Sequence, residues 1–220
     1  MKYRTPILIL AVLIAALGTG INAAGSPALT VRQRAITGIA SLTARSDLRA
    51  LERTLDAALD SGMTVNEAKE VIVHTYAYCG FPKALRGLQT MVGVLDRRRA
   101  GGKTDIEGRA ASPVTDTRSK YERGRDILAE ISGVPADAPK PSYALLSPEV
   151  EVMLKEHLFC DLFERDVLTY AERELATVAV IAALGPGVEP MLRSHIAIAR
   201  RLGATEAQIG EIVAFAQVEH

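Results

Sequence analysis

Apolar residues recur at helical spacing along almost the whole chain, and no segment alternates apolar and polar positions as a half-buried strand does. From Thr30, the positions Ile36, Ile39 and Ala40 predict a helix to about Leu42, which the run Thr43 to Asp47 breaks. Leu48, Leu51, Leu55, Ala58 and Leu59 predict a second helix, ended by Gly62. A third carries Val65, Ala68, Val71, Ile72 and Thr75 to about Cys79, where Gly80-Phe81-Pro82 interrupts it. A fourth carries Leu85, Leu88, Met91, Val92 and Leu95. Further on, Ser147-Pro148 reads as an N-cap with Pro at the first helical position. It opens a helix through Val152, Leu154, Leu158 and Phe159 toward Phe163. Leu175, Val178, Ala179 and Ala182 form the next helix. After the hard turn Gly185-Pro186-Gly187 comes one with Leu192, Ile196 and Ala199, and the last runs from Glu206 to the terminus at His220. The chain is predicted to be all-α.

The helix punctuation occurs twice. Thr30 with Gln33 and Thr64 with Glu67 recur, about 140 residues later, as Thr169 with Glu172 and Thr205 with Gln208. Each Thr precedes a Glu or Gln by three residues, the capping-box signature in which the two side chains satisfy orphan N–H groups at a helix start. Gly62 and Gly203 stand at equivalent places just before the second cap of each set. A repeated set of stops and starts predicts an internally duplicated bundle. The second half has no counterpart of Gly80 to Leu95, so that place is taken by another element or by a partner helix.

Between the halves lies a polar stretch containing Pro113, Pro135, Pro139 and Pro141, with one short helix expected from about Thr117 to Ile131. The run Arg97 to Arg99 reads as a solvated helix end near its negative pole. Ahead of the first half, Lys2 and Arg4 precede an apolar run from Pro6 to Leu17 and small residues around Ala23 and Ala24. This pattern predicts a secretory signal, and the apolar run is short for a membrane span. The expected organisation is therefore a signal at 1–24, a first repeat at 25–96, a polar linker at 97–145 and a second repeat at 146–220. Export, to a periplasm-like compartment, follows from the signal, with no membrane attachment after its cleavage. The 26 acidic and 26 basic side chains balance, which gives no basic excess for nucleic acid.

Chemistry is sought where the two copies differ. Aligning them sets Glu174 against Ala35, His195 against Thr54 and Arg173 against Arg34. One half thus carries a carboxylate and an imidazole that the other lacks. Counted from the turn between their antiparallel helices, Glu174 and His195 are offset by about one helical turn, roughly 5 Å. Such a pair moves protons near neutral pH. The alternative is that Glu174 offsets the helix dipole and His195 is a packed core histidine. Cys79 follows His74 by five residues, which does not share a helical face, whereas Cys160 follows His157 by three, which does. Both thiols are candidate redox groups, or small core residues. Two His and two Cys at these spacings match no zinc signature, and no metal or cofactor is expected.

Two segments carry a resemblance to a known family. Arg173-Glu-Leu-Ala-Thr-Val-Ala, Leu192-Arg-Ser-His-Ile196 and Leu202-Gly-Ala-Thr-Glu-Ala-Gln208 resemble carboxymuconolactone decarboxylases, as does the stretch from Asn66 through Tyr76-Ala-Tyr-Cys-Gly-Phe-Pro-Lys-Ala-Leu85. The similarity covers about Leu29 to Leu95 and Leu146 to Val218 and extends to exported, tandem-domain members. It implies a duplicated alkyl hydroperoxidase D-like helical bundle and a homo-oligomer. It also implies acid/base chemistry on a small organic acid or lactone, with Glu174 and His195 as the proton-transferring pair. Arg173 or Arg193 would hold a substrate carboxylate. The hydroperoxidase branch pairs its His with two cysteines, whose positions fall here on Val188 and Met191. Peroxidase activity would therefore rest on Cys79 or Cys160 alone, a peroxiredoxin-like alternative. A non-catalytic helical binding or assembly role is the third.

Overall fold

A computed structural model describes residues 28–217. The expected signal at 1–24 and the residues after Gln217 lie outside the described residues. Among those described there is no strand, and no helix is long and apolar enough to cross a membrane.

The duplication is visible in the helix lengths. In the first half, α1 (Val31–Arg45), α2 (Leu48–Asp60) and α3 (Val65–Ala100) follow one another; α4 (Lys120–Ser132), α5 (Ser142–Leu146) and α6 (Pro148–Met153) come between; α7 (Tyr170–Leu184), α8 (Glu189–Arg201) and α9 (Glu206–Ala216) close the second half. α1 and α7 are both 15 residues long, and α2 and α8 are both 13. Capping boxes at Thr30, Thr64, Thr169 and Thr205 are all formed. α9 ends at Ala216 on a Gln217 cap, short of the terminus.

α1 and α7 pack against each other at the centre. Ten consecutive residues of each are buried, from Ala35 to Ala44 and from Arg173 to Ala182, as expected of helices covered on every side. α2, α3, α8 and α9 surround them and share one apolar core with them. α3 kinks at Gly80, whose φ of +80° only glycine adopts readily, and Pro82 opens the helical run that follows.

The intervening segment is built into the body of the protein. The linker docks on the start of α3 through Val65 N–H to Ile106 O and Asn66 N–H to Glu107 O, each 2.9 Å. Its helix starts later than the periodicity suggested, because the capping box is Ser119 with Glu122 and not a box at Thr117. Ser147 forms no side-chain cap on α6; its hydroxyl turns to Glu149 instead. α6 continues into a π-helical stretch, Leu154–Leu162. α4 lies directly on that stretch at Gly124, where a Cβ would stand 1.8 Å from Lys155 O. Ile127 and Ile131 of α4 join Leu158, Phe159, Leu162 and Phe163 in a second apolar cluster that also touches Ile198 of α8 and its C-cap Leu202. An internal element, rather than a partner helix, therefore flanks α8.

One expectation is overturned at the end of α3. Arg98 is not solvated: it is 6% exposed and held by Asp56, Asp60 and Asp105. The middle guanidinium of the basic run ties α3 to α2 and to the linker, while Arg97 and Arg99 remain exposed.

Candidate functional site

α7 begins with Thr169 and so brings Arg173, Glu174 and Thr177 into the interior on its first two turns. α8 runs back antiparallel after the Gly185 turn and brings His195 alongside. His195 Nδ1 stands 2.9 Å from Glu174 Oε2. The Glu174 side chain is fully buried and that of His195 is 15% exposed. Because the carboxylate accepts, Nδ1 carries the proton, and Nε2 is the ring nitrogen left for exchange. The carboxylate and imidazole expected from the sequence to face one another are therefore in contact, and the imidazole is not sealed from solvent.

The site holds more than that hairpin. Glu70, His74 and Tyr78, spaced four residues apart on one face of α3, pack against it from the first half. His74 Nε2 lies 2.9 Å from Thr177 Oγ1, whose own hydroxyl donates to Arg173 O at 2.9 Å. His74 must then donate through Nε2 and accept through Nδ1, which faces Arg173 Nη1 at 3.3 Å. Burial, with Arg173 and His195 nearby, holds the His74 imidazolium well below the usual 6.5. Arg173 is fully buried, and its Nη2 donates to Glu70 Oε1 at 2.7 Å and also to Arg165 O. Arg165 closes the far side of Glu70 with contacts of 2.9–3.1 Å. These two arginines keep the Glu70 carboxyl below its usual range despite its burial. The Tyr78 ring meets His74 at 5.3 Å and His195, edge-on, at 5.8 Å.

Three buried polar atoms of the described residues have no partner: Tyr78 Oη, Arg173 Nε and Glu174 Oε1. All three belong to this cluster. Buried polar atoms are nearly always satisfied, so the concentration of unpaired ones here sets this cluster apart from the rest of the described core.

The remaining candidates fall elsewhere. Arg193 is exposed on α8 and makes no contact with the pair. Cys79 and Cys160 are both free thiols. Burial raises the Cys79 thiol. Cys160 is pushed up to about 11, first by burial and then by Glu164. It donates to Glu164 and accepts from Arg123, each at 3.2 Å, while His157 turns to Asp161. Neither cysteine has an imidazole that would keep it a thiolate. Among the described residues, no group of three or more His, Cys, Asp or Glu side chains is arranged to hold a metal ion.

Sequence patterns alone do not unite Glu70, His74, Tyr78, Arg165 and Thr177 as one site, although His74 stands five residues before Cys79. The four-residue spacing on α3 was the available signal. So was the repeat alignment, which sets Glu70 against Glu211 just as it sets Arg173 against Arg34.

The family model described as "Carboxymuconolactone decarboxylase family" matches residues 10–91 and 148–220, more than half of the chain and in two separate regions. No curated protein matches.

Proposed function

The chain belongs to the carboxymuconolactone decarboxylase family, and we propose that it carries out cofactor-free acid/base chemistry on a small organic acid or lactone at Glu174 and His195. The observation that carries this reading is the 2.9 Å contact between a fully buried carboxylate and a partly exposed imidazole. Glu174 fixes the ring orientation and the Nδ1–H tautomer, which leaves Nε2 to give or take the substrate's proton. Arg173 supplies a buried N–H at Nε, and Tyr78 a hydroxyl, for the substrate's oxygen atoms. Arg173 thus serves as the carboxylate anchor in preference to the exposed Arg193.

For decarboxylation, the bond between the carboxylate carbon and the ring breaks, and its electron pair remains on the substrate as a conjugated carbanion. Imidazolium Nε2–H of His195 protonates that carbon, and solvent later restores the proton. The buried Glu174 carboxylate stabilises the imidazolium before it gives up this proton, and it holds the neutral Nδ1–H ring in place until solvent re-protonates Nε2. A thiol route has less support, since both thiols are raised in pKa and lack an imidazole partner.

Turnover of carboxymuconolactone, or of a related lactone acid, by His195→Ala tests the proposal. General acid–base contributions lead to an expected loss of about 10²–10⁴-fold, with the melting temperature close to that of the parent. A parent enzyme whose turnover survives this substitution would remove the pair from the chemistry.

A further inference from the structure

The repeat relation places a second site in the molecule. Glu174 and Thr177 of α7 correspond to Ala35 and Gly38 of α1, His195 of α8 corresponds to Thr54 of α2, and His74 of α3 corresponds to Phe215 of α9. All four of these counterparts line one cavity of about 560 Å³ between α1, α2 and α9. Arg34 and Glu211, the counterparts of Arg173 and Glu70, line it as well, joined at 2.7 Å. The hollow is therefore the pseudo-symmetric twin of the Glu174/His195 cluster, emptied by smaller side chains at three positions and made apolar by a phenylalanine at the fourth.

Its charge pattern selects an occupant. Arg34 is engaged by Glu211 and by Leu29 O, each at 2.7 Å. Arg53 lines the same cavity, is exposed, and takes part in none of the ion pairs or hydrogen bonds among the described residues. The rim thus carries one unneutralised guanidinium over a lining that is mainly Leu, Ala, Ile and Phe. The volume lies within the range of small-molecule sites. We infer that this cavity binds a small amphiphilic monocarboxylate, its chain among Ala35, Leu42, Ile212 and Phe215 and its carboxylate on Arg53. This site is separate from the Glu174/His195 pair and does not depend on the function proposed for it.

Titration calorimetry on the full chain tests the inference, with decanoate below its micelle concentration as the probe and 1-decanol as its uncharged analogue. Decanoate is expected to bind at one site per chain and at least about tenfold more tightly than decanol, because a charge-assisted contact distinguishes them. Arg53→Ala should remove that difference while leaving decanol unchanged. Ala57→Phe plugs the cavity from an exposed lining position that folding does not depend on, and it should weaken both ligands at least about tenfold. His195→Ala should leave decanoate affinity unchanged. The inference is overturned by an absence of saturable decanoate binding, by equal affinity for the two probes, or by binding that both cavity variants leave intact. It is equally overturned if Ala57→Phe fails to affect binding but converts the parent to a smaller species in sedimentation, since the hollow is then a contact between copies of the chain.

Discussion

Around α7, a carboxylate, two imidazoles and a threonine converge into a packed polar cluster; around α1, the equivalent positions hold Ala35, Gly38, Thr54 and Phe215 and enclose a hollow. The Arg–Glu contact is the part common to both. Arg173 with Glu70 and Arg34 with Glu211 each join the first helix of one half to the third helix of the other. The shared contact is thus a strut between halves, while the residues that differ are the ones able to move protons. Each site also draws its third helix from the opposite half. Neither half, taken alone, contains a whole site.

The two struts differ in environment, and this gives the largest effect expected. Arg173 and Glu70 have side-chain exposures of 0% and 1%. Glu70→Ala leaves a buried guanidinium facing His74 with no carboxylate. Removing one partner of a buried pair typically costs about 3–5 kcal/mol. Urea unfolding should show a loss of unfolding free energy of that size. A cost under about 1 kcal/mol would mean that Arg165 O and His74 hold Arg173 without help from Glu70.

The same interlocking explains what could be read from the sequence. Helix starts were legible because capping is local: each Thr and the Glu or Gln three residues on identify an N-terminus without tertiary information. The hairpin pair Glu174 and His195 was legible for a similar reason, because a short turn fixes the register of two antiparallel helices. Glu70, His74 and Tyr78 were not, because they reach the site from about 100 residues away in sequence. Their spacing of four residues identifies a shared face of α3 but not what that face meets. Arg98 was misread for a comparable reason. Its carboxylate partners Asp56 and Asp60 lie on α2, and Asp105 lies beyond the helix end, so local composition suggested solvent. The π-helical stretch carries no sequence signal; it is seen only with α4 pressed on it at Gly124.

A second difference between the twins is titratable. The polar site buries His74 where the hollow has Phe215. With its folded-state value held well below 6.5 by burial and by Arg173 and His195, His74 stays neutral in the native protein. As pH falls through about 6.5, the unfolded chain takes up the proton first. Stability contributed by the neutral ring is therefore complete above that pH and is lost progressively below it, toward the lower folded-state value. His74→Gln retains a donor and an acceptor for Thr177 and Arg173 but does not titrate. Its melting temperature should fall less than that of the parent between about pH 7 and pH 5. Glu70 does not confound the measurement, because its lowered value moves its own contribution below 4.5. Parallel curves for the two proteins would show that His74 titrates normally and that its surroundings are wetter than the packing around it indicates.

The smallest effect belongs to the strut beside the hollow. Arg34 and Glu211 are 39% and 30% exposed, so water and salt screen an attraction that the core shields at the other strut. Glu211→Ala also loses the acceptor for Leu29 N–H at 3.1 Å. Exposed pairs contribute about 0.2–1 kcal/mol, and the expected loss of unfolding free energy lies in that range, diminishing as salt is raised. The change caused by Glu70→Ala should be nearly independent of salt. Measuring both variants at low and high ionic strength separates chemical identity from environment, because the two pairs have the same residue types and the same place in the repeat. Equal, salt-insensitive costs would mean that α9 seals the hollow as firmly as α3 seals its twin. In that case Arg53, exposed at the rim, would be the arginine of the hollow that a ligand meets from solvent.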